Sequence, residues 1–161
     1  MRAGSRQPGC ADACGFALPM VLAGVALAAL ALSVAGPSWR QQEQRERERE
    51  LLRVGLLYAQ ALAAYRDASP GSERVLPPQL EGLLLDTRFV GTQRHLRWLY
   101  PDPTNPRQPW GLLRDAQGRI GGVYSLSQTA PVARGPVVLA DRTLPPATRY
   151  ADWKFTAASP P

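Results

Sequence analysis

Between Asp12 and Arg40 the chain has no Asp, Glu, Lys or Arg. Other residue types are nearly as scarce. Cys10 and Cys14 are the only cysteines, and both precede this uncharged region. Their C-x-x-x-C spacing has no third Cys or neighbouring His, which excludes an ordinary structural zinc site. A lipoprotein signal is excluded too, because the cysteines come before the apolar stretch and not after it. Lys154 is the single lysine among nineteen basic residues. That bias reads as a GC-rich genome, and the net charge of +6 is spread without a block of like charge. His95 is the only histidine, so any His-based triad would depend on it. It sits between Arg94 and Arg97 and reads as a surface or partly packed residue. No nucleophile elbow, Walker or Rossmann glycine pattern occurs. Asp102, Asp115, Asp141 and Asp152 are scattered, without calcium-loop spacing. The reading is therefore of a protein that is not an enzyme, with no cofactor and no metal.

What is present begins with the uncharged region. From Phe16 to Ala35 nearly every residue is apolar, with Ser33 the only polar side chain. About twenty residues in a helix span roughly 30 Å, the thickness of a bilayer core. A secretory signal cut near Ser33-Val34-Ala35 would have a shorter apolar core. A plain membrane anchor is a second reading. A leader removed before the apolar run, which then stays as a membrane helix, is a third.

The stretch GFALPMVLAGVALAAL resembles the type III signal of type IV pilins and type II secretion pseudopilins. The resemblance rests on Gly15-Phe16, the length of the run, and Pro37 just beyond it. It implies cleavage after Gly15 by a prepilin peptidase and methylation of Phe16. It further implies a bacterial inner-membrane, single-pass protein whose C-terminal head lies in the periplasm. The family usually has Glu at the fifth mature position, where this chain has Met20 behind Pro19. The missing acid points to a minor or divergent subunit. The positive-inside count favours the opposite orientation, with five arginines between Arg40 and Arg53 against two in the leader; the leader is given precedence. Ala23, Gly24, Ala28 and Ala31 are small enough to let neighbouring helices approach closely.

The segment after Pro37 alternates Arg and Glu, with Glu43–Arg47 and Glu46–Arg49 at helical pairing distances, and reads as a solvated helix surface. Leu51, Val54, Tyr58, Leu62 and Tyr65 then repeat at helical spacing, a stripe able to pack on a domain. Asp67-Ala68-Ser69-Pro70-Gly71 ends the helix. Thirteen of sixteen prolines lie from Pro70 onward, which excludes long helices there.

In this head, LPPQLEGLLLD predicts a short helix with Leu80, Leu83 and Leu84 inward. RHLRWLY predicts a helical turn or a strand. Trp110–Arg114 and Arg119–Ser125 predict a hairpin about Asp115–Gly118. RYADWKFT predicts a closing strand, with Tyr150, Asp152 and Lys154 on one face. Asp102-Pro103 and Pro109-Trp110-Gly111 resemble the D-P-W-G element of pseudopilin heads, split by TNPRQ. The family's calcium site is not carried over, because SLSQTAPVARGP has no acid.

The expected fold is α+β and pilin-like: a long N-terminal helix, transmembrane in its first half, on a small antiparallel sheet. The expected segments are leader 1–15, membrane helix 16–36, helix continuation 37–67 and Pro-rich head 68–161. Val54, Tyr58, Leu62 and Tyr65 join helix to head. The expected function is a pseudopilin-like structural subunit of a type II secretion or related filament system. Its expected partners are other pseudopilin subunits, the prepilin peptidase, the inner-membrane assembly platform and membrane lipid. Nucleic acid is not expected, although RHLRWLY mixes Arg with aromatics. The alternative is an anchored or exported periplasmic binding protein unrelated to filaments.

Overall fold

The structure is a computed structural model. It describes residues 17–71, 73–140 and 142–157, with backbone alone at 17 and 31–38. Helix α1 spans Ala17–Asp67, and residues 1–43 and 44–161 form two compact units. The division falls inside the Arg-Glu belt, earlier than the apolar stripe suggests.

In the first unit, Leu18, Met20, Val21, Leu22, Val25, Leu27 and Leu30 are all exposed, each by more than 60%. At ~100° per residue these positions point to every side of the helix, so the surface is apolar all round. Among the described residues no helix is long and apolar enough to cross a membrane. Of the predicted span 16–36, side chains are described only from Leu18 to Leu30.

The second unit is α+β. The head portion of α1 lies on a three-stranded antiparallel sheet of order β1-β2-β5, formed by Gly111–Arg114, Ile120–Tyr124 and Lys154–Thr156. A separate two-stranded pair joins β3 (Val137–Val138) to β4 (Thr143–Leu144). The predicted stripe is the helix side of the core: Leu51, Val54, Tyr58, Leu62 and Tyr65 are all buried. Opposite them sit Ile120, Val123, Trp153 and Phe155, each fully buried.

Gly55 sets how closely sheet and helix approach. A Cβ there would lie 2.5 Å from the Phe155 ring, so the bare glycine backbone is the surface on which that ring rests. The hairpin turn is built as its sequence requires. Asp115 Oδ1 accepts the Gln117 and Arg119 N–H groups, and Gly118 takes φ +77°.

LPPQLEGLLLD forms a short 3-10 helix, Leu80–Leu83, with Leu83 in the core and Leu80 and Leu84 packed against it, as expected. Two head elements differ from expectation. RHLRWLY is neither helix nor strand; Leu96 is the one buried apolar residue there, too little apolar spacing to fix either period. RYADWKFT is a 3-10 turn, Tyr150–Asp152, before β5, so Tyr150, Asp152 and Lys154 do not share a strand face. Asp152 causes the turn by accepting the Arg149 N–H at 3.0 Å.

Candidate functional site

Two surfaces and three buried carboxylates are the chemically informative parts of the described residues. The first surface is the apolar stretch of α1. Ala23, Gly24 and Ala28 are exposed on it, and Ala31 lies in the same helix with its side chain outside the described residues. Gly24 and Ala28 are one turn apart, and a Cβ at Gly24 would meet nothing within 4 Å. Gly15 and Phe16 fall outside the described residues. The helix-to-head residues Val54, Tyr58, Leu62 and Tyr65 are brought together in the core, as their spacing implies.

The carboxylates tie long irregular loops to the frame. Glu48 belongs to the Arg-Glu belt, yet it is buried. Its oxygens accept the Val132 N–H at 2.6 Å, the Ala133 N–H at 3.0 Å and the Tyr150 hydroxyl at 3.0 Å. One turn earlier, Gln44 Nε2 donates to the Ala130 carbonyl at 2.9 Å. Burial pushes the Tyr150 phenol up to about 12, and the hydrogen bond to Glu48 adds to the rise. The belt is thus not a uniform solvated surface: Glu48 is the hook for loop 130–133. A signal for it exists in the sequence, because Glu48 continues the buried spacing of Leu51, Gly55 and Tyr58 one turn upstream.

Asp86 is fully buried and gathers a cluster at the C-terminal end of α1. It accepts Arg88 Nε at 2.8 Å, Arg88 Nη2 at 2.6 Å and the Arg88 N–H at 3.1 Å. His95 Nε2 lies 3.1 Å from the same carboxylate. Arg88 in turn donates to the Tyr65 carbonyl at 2.7 Å and Ser69 Oγ at 2.8 Å, with its guanidinium 3.6 Å from the Tyr65 ring centre. The Arg88 hydrogen bond holds the Asp86 carboxyl well below the usual carboxylate range. His95, expected at the surface or partly packed, is one wall of this buried cluster, its side chain 5% exposed.

Asp102 is the third. It accepts Ser125 Oγ at 2.6 Å, Thr104 Oγ1 at 2.7 Å and the Thr104 N–H at 2.8 Å. Among the described residues, no buried side-chain nitrogen or oxygen lacks a partner. Each of the three acids accepts at least three hydrogen bonds, an arrangement that ties the loops to the frame. Among the described residues, no three His, Cys, Asp or Glu side chains converge as metal ligands would.

The contrast within the belt is measurable. Glu48→Gln keeps the volume but places an amide where an acceptor is needed. We expect a loss of about 1–3 kcal/mol and faster hydrogen exchange at Val132 and Ala133. Glu50→Gln removes only an exposed pair with Arg53 and should cost under about 0.5 kcal/mol. Equal losses in the two variants would remove the distinction.

The second surface is a cleft of about 410 Å³ beside Tyr100, lined by Tyr58, Leu80, Tyr100, Pro106, Pro109 and Trp110 among others. Tyr58 and Trp110 both donate to the Tyr100 carbonyl, at 3.0 and 2.8 Å. No family model, curated protein or solved structure matches the chain.

Proposed function

We propose that the chain is a pseudopilin-like structural subunit of a bacterial type II secretion, or related type IV filament, system. The observation that carries the reading is the uncharged stretch of α1, apolar on every side and exposed from Leu18 to Leu30. An all-round apolar helix needs lipid or other helices around it. In the sequence it directly follows Gly15-Phe16, and in the same chain α1 continues into packing on a small antiparallel sheet.

In this role the helix lies in the inner membrane and the head in the periplasm. Assembly proceeds by helix packing, with Gly24 and Ala28 as the close-approach positions. Met20 supplies no intramembrane carboxylate to pair with the amine of a neighbouring subunit, which suits a minor subunit better than a self-polymerising one. The acids of the head act as fasteners and no chemistry is assigned to them.

The test is the mature N-terminus, read by intact mass and terminal peptide sequencing of membrane-extracted protein with and without an active prepilin peptidase. The expected chain begins at N-methylated Phe16, and only when the peptidase is active. A chain beginning at Gly36 would make this an exported protein without the apolar helix and end the filament reading. An uncut chain would favour a plain anchor.

A further inference from the structure

We propose that the Tyr100 cleft and the arginines beside it bind an acidic segment of a partner protein, anchored by one large apolar side chain. Arg94, Arg97 and Arg107 are exposed, and none has a hydrogen-bond or ion-pair partner among the described residues. Arg88, in the same stretch, shows the contrast: its guanidinium is spent on Asp86. Between residues 87 and 110 the sequence has four arginines and one acid, and that acid, Asp102, is buried. Arg94, Arg97 and Arg107 are therefore left without an ion pair among the described residues, on one irregular segment.

Apolar surface is left over at the same place. Trp98 is 61% exposed and Leu99 36% exposed. Trp98 packs edge-on against Tyr100 with ring centres 5.5 Å apart, and Tyr100 and Leu99 both line the cleft. The exposed ring and Arg107 thus adjoin the cleft, and Arg97 precedes the exposed ring in the chain. The cleft, at about 410 Å³, has room for a Phe, Trp or Leu side chain. Pro101, Pro106 and Pro109 stiffen its lining, and the Tyr100 carbonyl, accepting from both Tyr58 and Trp110, pins the backbone there. Exposed Trp and Arg around such a cleft are the residue types that dominate protein interfaces.

A single-stranded nucleic acid fits these features less well. It needs successive stacking rings, and Trp98 is the one ring exposed in this stretch. The partner's carboxylates meet the outer arginines, and its apolar side chain enters the cleft. The inference uses the head alone and holds whether or not Phe16 becomes the mature N-terminus.

The experiment pans a random dodecapeptide phage library at low salt against the full chain in detergent micelles. Enriched sequences should carry two or more Asp or Glu beside an aromatic residue or Leu. The leading peptide, synthesised with a fluorophore, should bind saturably. Arg97→Glu and Trp98→Ala should each weaken it about tenfold, as loss of a central interface residue does. Both side chains are exposed, so the unfolding temperature should stay within about 2 °C. Enrichment of basic or acid-free sequences, or no enrichment, overturns the proposal. So does unchanged affinity in Arg97→Glu. Saturable oligo(dT) binding lost in the same two variants would overturn it in favour of a nucleic-acid surface.

Discussion

Asp86→Ala should lower the stability of the head by about 3 kcal/mol, a large share of what a domain of this size possesses. The variant leaves Arg88 without its carboxylate while the guanidinium stays held by Tyr65 and Ser69, with its side chain 19% exposed. His95 loses its partner at the same time. An uncompensated, mostly buried cation costs far more than the pair contributes over an apolar replacement. By unfolding in urea followed through tryptophan emission, the midpoint should fall without a change in slope. The double variant Asp86→Ala/Arg88→Ala should recover more than about 1 kcal/mol relative to the sum of the singles, because it removes the orphaned charge as well. A loss under about 1 kcal/mol in Asp86→Ala would show that solvent reaches and rescues Arg88.

The same cluster sets a dependence on pH. The folded Asp86 carboxyl is held below its unfolded value, mainly by the hydrogen bond from Arg88. A depressed acid stabilises the fold fully above its unfolded pKa, about 3.9, and loses that contribution as pH falls through the folded value. The stability gap between the native chain and Asp86→Asn should therefore narrow as pH falls below about 4.

Gly55→Ala should destabilise, by about 2 kcal/mol, although the exchange normally favours a helix by up to about 1 kcal/mol. The added Cβ would sit 2.5 Å from the Phe155 ring, and Phe155 is fully buried on β5 with no free direction to retreat. The ring would have to move away from α1, and Val123, its partner across β2, would lose packing with it. The diagnostic result is a change of sign. In a Phe155→Leu background the clash disappears, and Gly55→Ala should become neutral or stabilising. Denaturation midpoints of the four chains would give the coupling directly. Equal effects of Gly55→Ala in both backgrounds would mean that the ring does not rest on Gly55.

The helix stripe and the hairpin were legible in the sequence because each is a repeat long enough to show its period. Leu51 to Tyr65 covers four turns, and Asp115–Gly118 has the turn chemistry its φ angles need. β3 and β4 were not legible, since two residues each cannot display an alternation. Glu48 was hidden by its neighbours: in a run of alternating Arg and Glu, composition marks no member as special. Only the phase of the downstream stripe distinguishes it. Asp86 and Asp102 were hidden for another reason. Their partners are backbone N–H groups, hydroxyls and one nearby guanidinium on irregular segments, and no spacing rule encodes such loops. The apolar stretch of α1 was evident from the absence of charge alone.

The carbonyl of Tyr100 has one further consequence. With Tyr58 and Trp110 both donating to it, each of its lone pairs is occupied, and it connects α1 to the residue just before β1. The floor of the cleft then cannot rotate a peptide plane toward an arriving ligand without giving up two hydrogen bonds. A ligand there meets a finished shape. Little ordering is left to be done on binding, so the encounter should behave as a rigid fit, with selectivity expressed as rejection of side chains of the wrong size.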